Sequence, residues 1–216
     1  MKQPAWLIGA TLLAAAGVVG AEEMKVKVTP DLESVTVMHE GEEVVIKRDQ
    51  DPDGRIAEDY TQTSRECPPF CVQPMQLLPG VHTIGEIELL EMLADRAMGE
   101  DEFLLIDSRT PDWFTKGTIP SAQNIPWTQL HPESSTFDPF VAETLLIDEF
   151  DVKKTGGLFD FREAKKLVLF CNGPWCGQSP TNIRALVGMG YPADKIYWYR
   201  GGMQLWHTLG LTTVKP

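Results

Sequence analysis

Leu167-Val168-Leu169-Phe170-Cys171-Asn172-Gly173-Pro174-Trp175-Cys176 begins as four apolar residues in a row and ends as a loop bounded by two cysteines. A continuous apolar run this short fits a strand buried on both faces, the usual state of strands in a parallel sheet. After Gly177-Gln178, the pair Ser179-Pro180 opens a helix expected to reach about Gly188. Cys171 therefore stands between the carboxyl end of a strand and the start of a helix, where open parallel sheets bind their ligands. Gly173 and Gly177 let the loop backbone approach a ligand closely. Inward-pointing N–H groups and the helix dipole favour a thiolate at Cys171 and any anionic sulfur attached to it. The competing reading is a buried, inert strand-end cysteine, since free cysteine is commonly buried.

Outward from this stretch the pattern stays regular from Val81 onward. Thr83-Ile84, Phe103 to Ile106, Ala122 to Ile125 and Ile196 to Trp198 read as further strands. Ile87, Leu89, Leu90, Met92 and Leu93 form a helical stripe ending near Gly99. Thr110-Pro111 opens another helix, Phe137 to Phe150 carries a further stripe, and Gly201 to Leu209 reads as the last helix. Strands alternating with helices imply an α/β fold, a parallel sheet with helices on both faces. Upstream, residues 22–80 read as an acidic arm. Ser34 to Met38 and Glu43 to Lys47 flank His39-Glu40-Gly41-Glu42 as a small β-hairpin. The polar run from Arg48 to Glu66 shows no period, and Cys67-Pro68-Pro69-Phe70-Cys71 is too proline-rich for helix or central strand.

Three separated motifs in residues 81–216 resemble the rhodanese family. Leu104-Leu105-Ile106-Asp107-Ser108-Arg109, followed by Gly117-Thr118-Ile119-Pro120-Ser121-Ala122, is similar to the family's first signature. Leu169-Phe170-Cys171 matches the strand and nucleophile of the second, and Arg200-Gly201-Gly202-Met203-Gln204-Leu205-Trp206 resembles the closing Gly-Gly-x-x-x-Trp segment. The resemblance implies a rhodanese-like fold and a sulfurtransferase. Cys171 would take sulfur from a small sulfur-containing anion (thiosulfate or a persulfide donor), carry it as a persulfide, and pass it to a thiol acceptor. Asn172, Gly173, Pro174, Trp175, Gly177, Gln178 and Ser179 would cradle the substrate. Arg109 is read either as a substrate contact or as a structural ion-pair partner. No cofactor is implied. Thr118 and Ser121 replace the family's usual His and Gly. The loop is about two residues longer than the common form, and Gly177 stands at the spacing where related phosphatases carry a phosphate-clamping Arg, which argues against phosphatase activity.

Four cysteines complete the redox picture. Cys176, five residues after Cys171, is either a resolving thiol that meets the Cys171 persulfide or a packing residue beside Trp175. A non-catalytic module switched by a Cys171–Cys176 disulfide, acting on a redox protein partner, is the alternative function. Cys67 and Cys71 suit a local disulfide, an exchange partner for the 171/176 pair, or half of a four-cysteine metal site; the x3 and x4 spacings fit metal poorly.

Residues 1–21 read as a cleaved export signal: Lys2, an uncharged run, and Val19-Gly20-Ala21 before Glu22-Glu23. That places the protein in the periplasm or otherwise outside the cytoplasm, without a membrane span after cleavage. A net charge of −12 disfavours nucleic acid and anionic lipid as partners. Asp49-Gln50-Asp51-Pro52-Asp53-Gly54 matches the first half of a calcium loop, but Tyr60 occupies the place of its bidentate glutamate, so a solvated acidic turn is expected. His39, His82, His131 and His207 are too scattered to suggest a ligand cluster.

Overall fold

The structure is a computed structural model describing residues 24–216, so the expected export signal lies outside the described residues. In chain order the elements are β1 (Ser34–His39), β2 (Glu42–Lys47), β3 (His82–Ile84), α1 (Glu86–Met98), β4 (Phe103–Asp107), α2 (Pro111–Phe114), β5 (Gln123–Asn124), α3 (Trp127–Leu130) and α4 (Pro139–Thr144). After these come β6 (Lys153–Thr155), β7 (Leu158–Asp160), β8 (Lys166–Phe170), α5 (Gln178–Gly188), β9 (Ile196–Tyr199) and α6 (Gly202–Thr208).

The apolar runs fall where a two-sided sheet needs them. Five strands form one sheet in the order β3-β9-β8-β4-β5, and every pairing is parallel. Side chains alternate across it. Leu105, Val168 and Phe170 pack to one side with Leu89, Leu90 and Leu93 of α1 and Trp206 of α6. Ile106, Leu167 and Leu169 pack to the other, against Leu130 of α3 and Ile183 and Leu186 of α5. This is the α/β architecture expected, with helices on both faces.

β1 and β2 pair antiparallel through a two-residue turn at Glu40-Gly41, with φ of 49° and 86°. Such a turn matches the twist of its strands. Val35, Val37 and Ile46 of this hairpin are buried in the same cluster as α1 and Trp206. Each burial stabilises by roughly 1.5–3 kcal/mol, so the hairpin contributes to the core.

Three elements differ from the sequence reading. The expected β-run Ala122 to Ile125 narrows to Gln123–Asn124, an edge strand paired only with Ile106 and Asp107. The stripe from Phe137 to Phe150 becomes α4 followed by a wider π-type turn, Leu145–Glu149. Asp138 caps α4 by accepting from the Phe140 N–H at 2.8 Å, with Pro139 at the first helical position, and this fixes the later start. The hairpin of β6 and β7 was not expected; its strands are short and show no alternation, and its only signal is Gly156-Gly157, at φ of 58° and 84°.

Candidate active site

β8 ends at Phe170 and delivers Cys171 to the crevice beyond the sheet. The chain then turns tightly, with the Cys176 N–H donating to the Gly173 carbonyl at 2.9 Å, and enters α5 at Gln178. Cys171 and Cys176 are buried, 2% and 4% exposed, and neither is in a disulfide. Ser179, in the first turn of α5, donates its hydroxyl to the Cys171 sulfur at 3.1 Å. That hydroxyl is oriented from behind, because the Trp198 indole N–H donates to the same oxygen at 3.1 Å. Trp198 looks in sequence like a core residue of β9, and its indole also orients the hydroxyl that donates to Cys171.

Burial pushes the Cys171 thiol up, but hydrogen bonds outweigh it and bring it down to about 7. They come from the Cys176 side chain, the Ser179 hydroxyl and N–H, and the Gly173 N–H. Cys176 goes the other way: burial and the neighbouring Cys171 hold its thiol well above the ordinary value, although the Gln178 and Asn172 N–H groups face it. As pH rises through neutrality Cys171 therefore gives up its proton well before Cys176 does. Cys171 is the more acidic of the two thiols, and Cys176 keeps its proton beside it.

α6 clamps the loop from the other side. The Met203 N–H donates to the Cys171 carbonyl at 3.0 Å and the Gln204 N–H to the Asn172 carbonyl at 2.8 Å. This approach requires glycine at 202: its φ is 55°, and a Cβ there would sit 2.3 Å from the Cys171 carbonyl oxygen. The Gln204 side chain accepts from the Trp175 indole N–H and so fixes the loop's outer wall.

Arg109 is fully buried with its fork turned on Asp107, Nε to Oδ1 at 2.8 Å and Nη2 to Oδ2 at 2.5 Å. Nη2 also reaches the Gly117 carbonyl at 2.7 Å, and Nη1 donates to the Tyr60 hydroxyl at 3.1 Å. Tyr60 passes the tether on, donating to Asn172 Oδ1 at 3.1 Å. The route from Arg109 to the loop thus runs through a residue of the arm. Thr118 donates to Asp107 Oδ2 at 2.7 Å and completes the carboxylate's shell. Ser121 adopts φ of 77°, where its N–H donates to His39 Nδ1 at 3.1 Å.

The arm covers the loop. Cys67 and Cys71 are joined as a disulfide with Cα atoms 4.7 Å apart, so these two are not available as metal ligands. Phe70, between them, meets Trp175 edge to face with centroids 5.6 Å apart, and the Arg65 guanidinium lies 3.9 Å over Trp175. The Gln73 N–H donates to the Pro174 carbonyl at 2.8 Å. Among the described residues no group of three or more His, Cys, Asp or Glu side chains is arranged around a metal position, and no helix is long and apolar enough to cross a membrane.

The structure brings together Cys171, Cys176, Asn172, Gly173, Pro174, Trp175, Gly177, Gln178 and Ser179 in one loop and helix start, with Arg109 behind them and Cys67–Cys71 above. Sequence reasoning missed Tyr60, Trp198 and Gln204. Tyr60 carried one signal: it is the only aromatic in the polar run from Arg48 to Glu66.

A family model described as a rhodanese-like domain matches residues 88–209. A comparison with curated proteins returns no match. Among solved structures, the As-Sb reductase of Leishmania major is 21% identical, with 60% of this chain and 79% of that one covered and a TM-score of 0.41. A human single-domain sulfurtransferase is 24% identical, covering 57% and 93%, with a TM-score of 0.37. A rhodanese-related protein of Thermoplasma volcanium is 18% identical, covering 62% and 99%, with a TM-score of 0.37.

Proposed function

The chain belongs to the family of rhodanese-like domains, and from that premise we propose that it is a sulfurtransferase carrying sulfane sulfur as a persulfide on Cys171. The observation that carries this reading is the buried Cys171 sulfur at the end of β8, which accepts from the Ser179 hydroxyl at 3.1 Å at the start of α5. The Cys171 thiolate attacks the outer sulfur of thiosulfate; the donor's S–S bond breaks and its electron pair leaves with sulfite. The resulting Cys171–S–S⁻ keeps the same N–H and hydroxyl donors. An acceptor thiolate then takes the outer sulfur and returns Cys171 as thiolate.

Cys176 supplies a second exit. Its thiol attacks Cys171 of the persulfide, forming the Cys171–Cys176 disulfide and expelling the outer sulfur as HS⁻, which carries off the Cys176 proton. The closeness of the two cysteines, with the Cys171 sulfur 3.5 Å from the Cys176 carbonyl oxygen, supports this role. The same closeness also favours a second reading, a redox module in which the disulfide itself is the signal. The sequence pattern of residues 1–21 supports placing either activity in an exported compartment. Thiosulfate:cyanide turnover tests the main reading: wild-type protein is active and Cys171→Ser is inactive. Equal rates in the two overturn it, and a trapped 171–176 disulfide with no sulfane sulfur at all favours the switch.

A further inference from the structure

Beside the two-cysteine loop the fold leaves a cavity of about 460 Å³. Its apolar walls are Phe70 from the disulfide-closed arm loop, Trp113 from α2 and Trp127 from α3; Gln178 and Thr181 add neutral polar edges. The cysteine that reaches it is Cys176, while Cys171 is not among its lining residues. No lining side chain carries a charge. Two cations lie behind its walls: Arg65 sits over Trp175 and Phe70 and donates to Gln62 Oε1 and the Asp59 carbonyl, with its buried Nε unpaired, and Lys116 sits over Trp113 and pairs with Asp59 at 3.1 Å. A chain of net charge −12 adds no attraction for an anion.

We propose that this cavity is the site of the thiol that reduces the Cys171–Cys176 disulfide, that it takes an uncharged organic thiol with an aromatic or branched apolar body, and that the thiol reacts at Cys176. The proposal rests on reading Cys171 and Cys176 as the sulfur-carrying pair. The resolving step leaves the Cys171–Cys176 disulfide. The incoming thiolate attacks Cys176 Sγ; a bond forms between the two, the Cys176–Cys171 bond breaks, and its electron pair stays on Cys171. The Ser179 hydroxyl and the Gly173 and Ser179 N–H groups are in place to receive that charge. Attack at Cys171 would instead expel Cys176, the poorer leaving group because its thiol is held up by burial. A second thiolate then displaces Cys176, which takes up a proton, and an organic disulfide departs.

The test is labelling of Cys176 in the Cys171→Ser protein, with its 67–71 disulfide intact. Benzyl methanethiosulfonate and sulfonatoethyl methanethiosulfonate each leave a mixed disulfide on the thiol they meet. The expected result is label on Cys176, with the benzyl reagent favoured roughly tenfold or more beyond its advantage on a free small thiol. Trp127→Ala in the same background is expected to remove most of that preference. An advantage no greater than on the free thiol, a preference for the sulfonate, or a Cys176 that does not label overturns the proposal. Cys171→Ala is carried in parallel, with circular dichroism, so that a misfolded loop is not mistaken for an inaccessible one. Neither variant can hold a persulfide on residue 171, so the labelling succeeds or fails independently of the sulfur-transfer reading.

Discussion

A thiol taken out of water ordinarily becomes a weaker acid, and at the residue scale the polar groups around Cys171, with the Ser179 hydroxyl at 3.1 Å, reverse this. Its depressed value near 7 fixes the sign of the pH dependence. Below that point the thiol is protonated, so its alkylation by iodoacetamide should slow about tenfold per pH unit, and above it the rate should level off. Ser179→Ala, which removes one donor, should move the inflection upward. Tyr60 makes a separate prediction. Burial pushes its hydroxyl up to about 12, so it stays protonated and can both accept from Arg109 and donate to Asn172. Tyr60→Phe leaves two buried polar groups short of a partner and should cost about 1–3 kcal/mol in urea denaturation. Cys171 was legible in sequence because a strand-end cysteine before a helix is a local pattern. Tyr60 was not, because its partners Arg109 and Asn172 are 49 and 112 residues away.

At the scale of elements, the active-site loop is positioned by α6 more than by its own turn. Gly202→Ala places a Cβ against the Cys171 carbonyl and the Gly173 nitrogen, 2.3 and 2.8 Å away, and both neighbours are backbone. The loop must shift, and sulfur transfer should fall about a hundredfold, as expected when reacting groups are misplaced by about an ångström. Circular dichroism that stays native separates this from unfolding. The strands and helices of the sheet were readable wherever an apolar run or stripe met a cap: β4, β8, α1 and α5 fall close to their expected positions. α4 was read too long because an apolar stripe does not report a π-type turn. The β6–β7 hairpin, with β6 exposed throughout and Phe159 of β7 packed on the core, is too short for a period to show.

At the scale of the molecule, the arm and the sheet share one core. Ile46 is fully buried in the cluster that contains Leu93, Phe170 and Trp206. Ile46→Ala should therefore cost about 2–5 kcal/mol and shift a single cooperative transition, followed by tryptophan fluorescence and by circular dichroism. Two separate transitions would mean that the hairpin folds by itself. The arm's course over the active-site loop was not legible, since the polar run from Arg48 to Glu66 has no period and its contacts are made by single side chains such as Arg65 and Tyr60. All of this surrounds one sulfur atom. Peptide mass spectrometry of protein treated with thiosulfate tests the central claim most directly. The account predicts one added sulfur on the peptide containing Cys171, removed by cyanide and absent from Cys171→Ser; an unmodified Cys171, or added sulfur on another cysteine alone, would contradict it.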